Sequence, residues 1–306
     1  MRIRPEIIGL IDEIREDKTH GASELARQAA EVLKLTAERS QANNTKQLLT
    51  EQKMVGEKLK LCCPAMAPIS NIVTRILDII IRKAPEPELA LFRRFIISLV
   101  DKVIQESLEA VEQIAEYGSR LVTDGDIIMT HSYSSTVLAM LKKAFSKCGN
   151  IEVITTRSGP GHSGEIMAQQ VGLCGIPVTF IDDTAVCLHI SKVNKVLVGA
   201  DRVCADGKVV NGVGTYQVAL AAEKASVPLY VLCETLKFDS RMNGDEVDLE
   251  EKDLSEVIEA GRLPIGVIVR NPYFDITPLE MITAIVTENG VLMPEEVISC
   301  LKGLAS

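Results

Sequence analysis

Residues 194–238 read NKVLVGADRVCADGKVVNGVGTYQVALAAEKASVPLYVLCETLKF, and this stretch decides the fold. Lys195–Gly199 (KVLVG) and Leu229–Cys233 (LYVLC) are short continuous apolar runs, the pattern of strands buried on both faces. Gly214–Lys224 (GTYQVALAAEK) has helical spacing, and Ser226-Val227-Pro228 forms the return loop. Strand, helix and strand at this spacing predict a βαβ unit with parallel strands. In open parallel sheets ligands bind in the crevice beyond the carboxyl ends of the strands. Asp201 follows the first run, and Glu234 and Lys237 follow the second, so all three fall at that edge.

Working outward, residues 120–306 alternate strand and helix patterns. Asp126–Thr130 (DIIMT), Ile151–Thr155 (IEVIT), Pro177–Ile181 (PVTFI) and Gly266–Val269 (GVIV) are expected as further strands. Arg241–Glu259 is polar and acidic and reads as a surface excursion; Leu279–Ile285 and Pro294–Leu301 finish the chain. The expectation is an α/β domain with a Rossmann-like, doubly wound parallel sheet.

Residues 1–119 carry helical periodicity instead and are expected to form a helical N-terminal domain. Helices are predicted from Pro5, from Glu24 to Ala37 with Ser23 as N-cap, and from Lys46 to Leu61. Others follow from Ser70 to Lys83 beyond interruptions at Cys63-Pro64 and Pro68, and from Leu89 to Tyr117 with Gly118 as terminator. Pro85 and Pro87 mark a loop.

Composition narrows the function. The 306 residues carry a formal net charge of −9, which disfavours nonspecific nucleic-acid binding. The 8 cysteines form no CxxC pair, which fits reduced thiols and a cytoplasmic setting. The N-terminal residues lack a secretory pattern, and no apolar run has the length of a membrane span. No metal site and no cofactor are expected.

Several residues are candidates for chemistry, each with a plainer alternative. Asp201 at a strand end is placed either to shuttle protons or to cap a turn. His131-Ser132-Tyr133-Ser134-Ser135 offers hydroxyls either to a helix N-terminus or to a small polar ligand. Asn211 before Gly212 holds a sugar hydroxyl or makes a turn, and Lys237 meets a phosphate or is solvated. The Gly159–Gly164 loop either cradles an anion or simply turns tightly. Asp182-Asp183 resembles a metal or ribose site, and His20 is ligand-facing or merely exposed.

The segments THGASELARQAA, IIMTHSYSSTVLAML, KVLVGADRVCADGKVVNGVGT, ETLKF and NPYFDITPLEMITAIVTENGVL, in that order, resemble one family across nearly the whole chain. That family joins the α, β and δ subunits of translation initiation factor 2B to ribose-1,5-bisphosphate and methylthioribose-1-phosphate isomerases. The resemblance implies a helical domain followed by a Rossmann-like one. It also implies a homodimer or higher oligomer formed through the C-terminal domain, and initiation factor 2 or related subunits as protein partners. His20, Gly21, Ala22, Ser132, Ser134, Asn211 and Lys237 are then ligand-binding residues, with Asp201 catalytic if the chain is an isomerase.

The chain departs from the isomerase pattern. Ser132 stands where the catalytic cysteine is expected, His20 and Cys63 where arginines are, Gly159-Pro160 in place of another arginine, and Gly212 in place of a lysine. Charge-assisted bonds lost with each arginine are worth about 1.5–3 kcal/mol. These departures point to a non-catalytic, initiation-factor-2B-like regulatory subunit with a degenerate sugar-phosphate or nucleotide pocket. The alternative is an aldose–ketose isomerase of a phosphorylated ribose, of the ribose 1,5-bisphosphate to ribulose 1,5-bisphosphate type.

Overall fold

A computed structural model describes residues 3–84, 88–259, 262–264 and 266–305. The chain forms two compact units, Met1–Ala110 and Val111–Ser306. The first holds α1 (Pro5–Glu16), α2 (Ala22–Arg39), α3 (Thr45–Lys60), α4 (Ala67–Lys83) and most of α5 (Leu89–Ser119). Apolar residues at helical spacing build its core: Ile7, Ile11 and Ile14 of α1, Leu25 and Leu33 of α2, Leu48 and Leu59 of α3, and Ile72 and Ile76 of α4. The Asn44 side chain caps α3 by accepting the Gln47 N–H at 3.0 Å.

Three expectations about these helices need correction. Ser23 does not cap α2. Gly21 is the N-cap, and Ser23 is buried one residue into the helix. The turn into α2 is made upstream, where the Asp17 carboxylate accepts the N–H groups of Thr19 and His20, each at 2.8 Å. Pro68 does not interrupt α4 but sits in its first turn, where a missing N–H costs nothing. Gly118 does not terminate α5, which runs on through Ser119. A Cβ at Gly118 would lie 2.7 Å from Met140 Cγ, so this glycine permits close packing inside the helix. Pro85 and Pro87 lie outside the described residues.

The second unit follows with β1 (Ile127–Thr130), α6 (Ser135–Cys148), β2 (Glu152–Thr156), α7 (Ser163–Leu173), β3 (Val178–Ile181), α8 (Val186–His189) and β4 (Lys195–Val198). Next come β5 (Arg202–Cys204), β6 (Val209–Gly212), α9 (Thr215–Lys224), β7 (Leu229–Leu232) and β8 (Phe238–Asp239). Then β9 (Phe274–Thr277), β10 (Ala284–Thr287), β11 (Gly290–Leu292) and α10 (Pro294–Ala305) complete it. A seven-stranded sheet has the order β11-β10-β7-β4-β1-β2-β3, parallel except for β11. From β1 the chain winds outward through β2 and β3. From β4 it winds the other way through β7 and β10. The order reverses between β1 and β4, which makes their carboxyl ends the topological switch point.

Alternation along the strands sends side chains to two separate cores. Met129, Ile154, Val196, Val198, Val231 and Ile285 pack on one face. Ile128, Val153, Leu197, Leu232 and Val286 pack on the other. Both faces are apolar, and the strands therefore read as continuous apolar runs.

Gly266–Val269 is not a strand: Ile268 is 84% exposed and Val267 is 50% exposed. The place beside β7 belongs to β10 instead, with β11 antiparallel at the edge. A four-stranded sheet, β8-β5-β6-β9, also stands beyond the ends of β4 and β7. It begins directly at Asp201, whose N–H donates to the Val210 carbonyl at 2.8 Å.

Candidate active site at the switch point

Asp201 is only partly accessible and sits where β4 gives way to β5. Burial pushes its carboxyl up to about 6; Lys237 opposes the shift and Glu250 adds to it. Lys237 is buried in the single turn Thr235–Lys237 that follows β7. Among the described residues nothing accepts a hydrogen bond from its ammonium, and its charge acts on Asp201. Asn211 on β6 is buried and donates from Nδ2 to Thr215 Oγ1 at 3.0 Å.

Asn211 faces Asp275 of β9 in the strand register. Asp275 Oδ2 accepts the N–H groups of Gly214 at 2.7 Å and Tyr216 at 3.0 Å, which caps α9. Its Oδ1 is buried without a hydrogen-bond partner. Burial raises the Asp275 carboxyl to about 6 in spite of the two N–H donors.

Across the switch point, the loop after β1 is tightly tied. Ser134 takes the capping role, accepting the Val137 N–H at 3.3 Å, and is buried. His131 is buried, with Nε2 at 2.8 Å from the Val213 carbonyl and Nδ1 at 2.6 Å from Thr156 Oγ1. Burial lowers the His131 pKa, so the ring is held neutral. Ser132 adopts φ 65°. Its N–H donates to Ser158 Oγ at 2.7 Å, and its Oγ lies 3.0 Å from Ser163 Oγ.

Two glycines make this packing possible. Gly214 has φ 104°, and a Cβ there would lie 2.6 Å from the His131 ring. A Cβ on Gly212 would lie 2.8 Å from Ser132 Oγ.

The glycine-rich loop and the Asp182-Asp183 pair do not stand as separate sites. Asp183 Oδ1 and Oδ2 accept the N–H groups of Ser158 and Gly159, each at 2.8 Å. Two N–H groups that an anion would need are therefore already engaged. Asp182 accepts the Thr184 hydroxyl at 2.8 Å. No cluster of three metal-ligating side chains occurs among the described residues.

His20, Gly21, Ala22 and Cys63 belong to the first unit. His20 is exposed, with Nδ1 at 2.7 Å from Asp17 Oδ2 and Nε2 at 3.4 Å from Glu24 Oε1. The bond to Asp17 raises its pKa, so it carries a proton more readily than a free imidazole. Gly21 caps α2 and Ala22 is buried in its first turn. Cys63 is buried, its Sγ 3.9 Å from the Ile14 carbonyl.

Within the second unit the structure groups Ser132 and Ser134 at the end of β1 with Asp201 at the end of β4, and places Asn211 and Lys237 on the elements that follow. Sequence reasoning missed Thr156, Ser158, Asp183 and Asp275 as partners in this arrangement. Their contacts span 25 residues from His131 to Thr156 and 61 from Gly214 to Asp275, so no local spacing announces them.

Residues 18–294 match the model of the initiation factor 2 subunit family. A ribose 1,5-bisphosphate isomerase from Pyrococcus furiosus is 35% identical, over 97% of this chain and 93% of its own. One from Archaeoglobus fulgidus is also 35% identical, over 95% and 90%. A putative translation initiation factor eIF-2B subunit 2-like protein of P. furiosus is 33% identical, over 94% and 97%. The structure of the Pyrococcus horikoshii translation initiation factor eIF-2B superposes with a TM-score of 0.84 at 30% identity, covering 97% of this chain and all of that one. That of the P. horikoshii 5-methylthioribose 1-phosphate isomerase gives 0.81 at 25% identity, covering 97% and 88%.

These relationships overturn the expectation of a non-catalytic regulatory subunit. Relatives named ribose 1,5-bisphosphate isomerase match at 31–35% identity along almost their full length. The missing arginines and thiol, taken together and against the retained Asp201, Asn211 and Lys237, had pointed away from catalysis; the named relatives favour the isomerase alternative instead. From its helical first unit to its doubly wound second one, the chain belongs to the initiation factor 2 subunit family.

Proposed function

We propose that the protein is an aldose–ketose isomerase acting on a phosphorylated ribose, of the ribose 1,5-bisphosphate type. The observation that carries this reading is Asp201, a carboxyl raised to about 6 at the switch point, with the Lys237 charge acting on it. A group titrating near neutrality both takes and returns a proton with little bias, as moving hydrogen between adjacent sugar carbons demands. As the C1–O4 bond opens and O4 takes a proton, Asp201 removes the proton from C2; the resulting enol phosphate takes a proton back from Asp201 at C1 and gives up its O2 proton, which leaves a ketone at C2 and the phosphate still on O1. Lys237 meets a phosphate, and Ser132, Ser134 and Asn211 engage the sugar hydroxyls. In the first unit, taken by itself, His20, Gly21 and Ala22 at the start of α2 are proposed as a separate ligand-contacting turn. The relatives named as isomerases support the same chemistry.

The test is a coupled assay with ribose 1,5-bisphosphate and with methylthioribose 1-phosphate. Turnover of the bisphosphate that disappears in Asp201→Asn is expected. Wild-type protein that turns over neither sugar sinks the reading. We further propose self-association through the second unit, which light scattering of the pure protein checks.

A further inference from the structure

Ser132 lies at the switch point in a left-handed conformation that a residue with a Cβ adopts only when its surroundings hold it there. What holds it is a chain of side chains from three strand ends. We propose that His131, Thr156, Ser158 and Asp183 act as positioning residues, a directed hydrogen-bond network that aims the Ser132 hydroxyl at the substrate. This inference rests on the isomerase reading and adds to it residues that do not touch the sugar.

The shortest contacts select one set of directions, with a longer approach of Ser158 Oγ to His131 Nδ1 at 3.4 Å beside them. The Val213 carbonyl can only accept, so His131 Nε2, 2.8 Å away, carries the hydrogen. With the ring neutral, Nδ1 is an acceptor, and Thr156 Oγ1 at 2.6 Å donates to it. Having spent its hydrogen, the Thr156 oxygen accepts from Ser158 Oγ at 3.2 Å. The Ser158 oxygen in turn accepts the Ser132 N–H at 2.7 Å. Each hydroxyl has one hydrogen and each is used, so the chain runs one way from Ser132 to Val213.

Asp183 locks the other end. Its two oxygens take the Ser158 and Gly159 N–H groups at 2.8 Å, holding Ser158 at φ 56° with its hydroxyl under Ser132. Of this set, His131, Thr156 and Ser158 are buried, so solvent does not compete for these bonds. Ser132 Oγ is left facing Ser163 Oγ at 3.0 Å, with Gly212 as the wall behind it. Its hydrogen is free to turn from Ser163 to a sugar oxygen.

The experiment uses the full chain and compares Thr156→Val, which keeps the shape and removes the donor, with Thr156→Ser, which keeps the donor. With ribose 1,5-bisphosphate, Thr156→Val is expected to lower kcat by about 10- to 100-fold while KM stays within about twofold, and Thr156→Ser to restore most of the loss. Ser158→Ala, which removes the acceptor of the Ser132 N–H, is expected to match Thr156→Val. Side-chain 1H–15N spectra of the chain's 4 histidines are expected to show His131 as the neutral Nε2–H tautomer, its Nδ1 signal moving in Thr156→Val. Unchanged kcat in both Thr156→Val and Ser158→Ala, with active wild type, overturns the network and leaves the isomerase reading standing. An Nδ1–H tautomer for His131 also overturns it. A wild type that turns over no phosphorylated pentose overturns the isomerase reading, and with it the purpose assigned to the network.

Discussion

The two halves of the sheet edge are built on opposite terms. On the β1–β2–β3 side, His131, Thr156, Ser158 and Asp183 spend their hydrogen-bonding capacity on one another and on the backbone. On the β4–β7 side, Lys237 is buried with no hydrogen-bond acceptor for its ammonium among the described residues. Asp201 there is held far from its ordinary pKa, and on β9 next to that side Asp275 keeps one buried oxygen idle. A satisfied polar cluster stabilises one geometry, whereas a carboxyl raised by burial and an idle buried oxygen leave capacity that a ligand can take up. On the proposed isomerase reading, the first half is a mount and the second holds the reactive groups.

Substitutions on the β4–β7 side put that contrast under the greatest stress. Asp201→Asn is expected to cut isomerase turnover by about 100- to 10,000-fold, the usual worth of a general acid–base group. Next, Lys237→Met is expected to raise KM for the phosphorylated sugar about 10- to 100-fold, the loss of one charge-assisted bond. Steady-state kinetics of the two variants separate chemistry from binding; equal effects on kcat and KM in both would erase the distinction between the residues. Gly212→Ala tests the mount: its Cβ must displace Ser132 Oγ from 2.8 Å, and a kcat loss of about tenfold is expected.

The smallest effect is on stability. The Asp201 carboxyl is raised from 3.8 to about 6, so the folded chain holds this proton more tightly than the unfolded chain. That contribution is complete below pH 3.8 and is lost as pH rises through 6. Asp201→Asn is therefore expected to be more stable than wild type at pH 8 by about 1–2 kcal/mol, discounted for the partial exposure of the group, with the gap closing toward pH 4. Urea midpoints across that range measure it. Stability gained where activity is lost marks a functional carboxyl.

Much of the frame was legible because burial on both faces writes itself as short apolar runs. KVLVG and LYVLC end at Asp201 and just before Glu234, so two strands and the first site residue came from one pattern. GVIV has the same pattern yet lies exposed, while Ala284–Thr287 fills the sheet from inside a longer apolar stretch. Composition alone does not separate a run that packs from one that does not. The small sheet was invisible for another reason. Its strands are two to four residues long, and β5 and β6 are split by a turn at Asp206-Gly207. In the site, Asp201 and Lys237 were readable from position, whereas Asp275 and Asp183 act on backbone N–H groups that only the folded chain brings to them.

The contact between Ser132 and Gly212 couples the two positions. A side chain at 212 and a serine hydroxyl in its present place exclude each other, because a Cβ at 212 would sit 2.8 Å from that oxygen. Any side chain at 212 therefore moves the Ser132 hydroxyl from its present position, so the occupant of 212 and the direction of that hydroxyl change together. Gly212 is in this sense the residue that sets where the hydroxyl points.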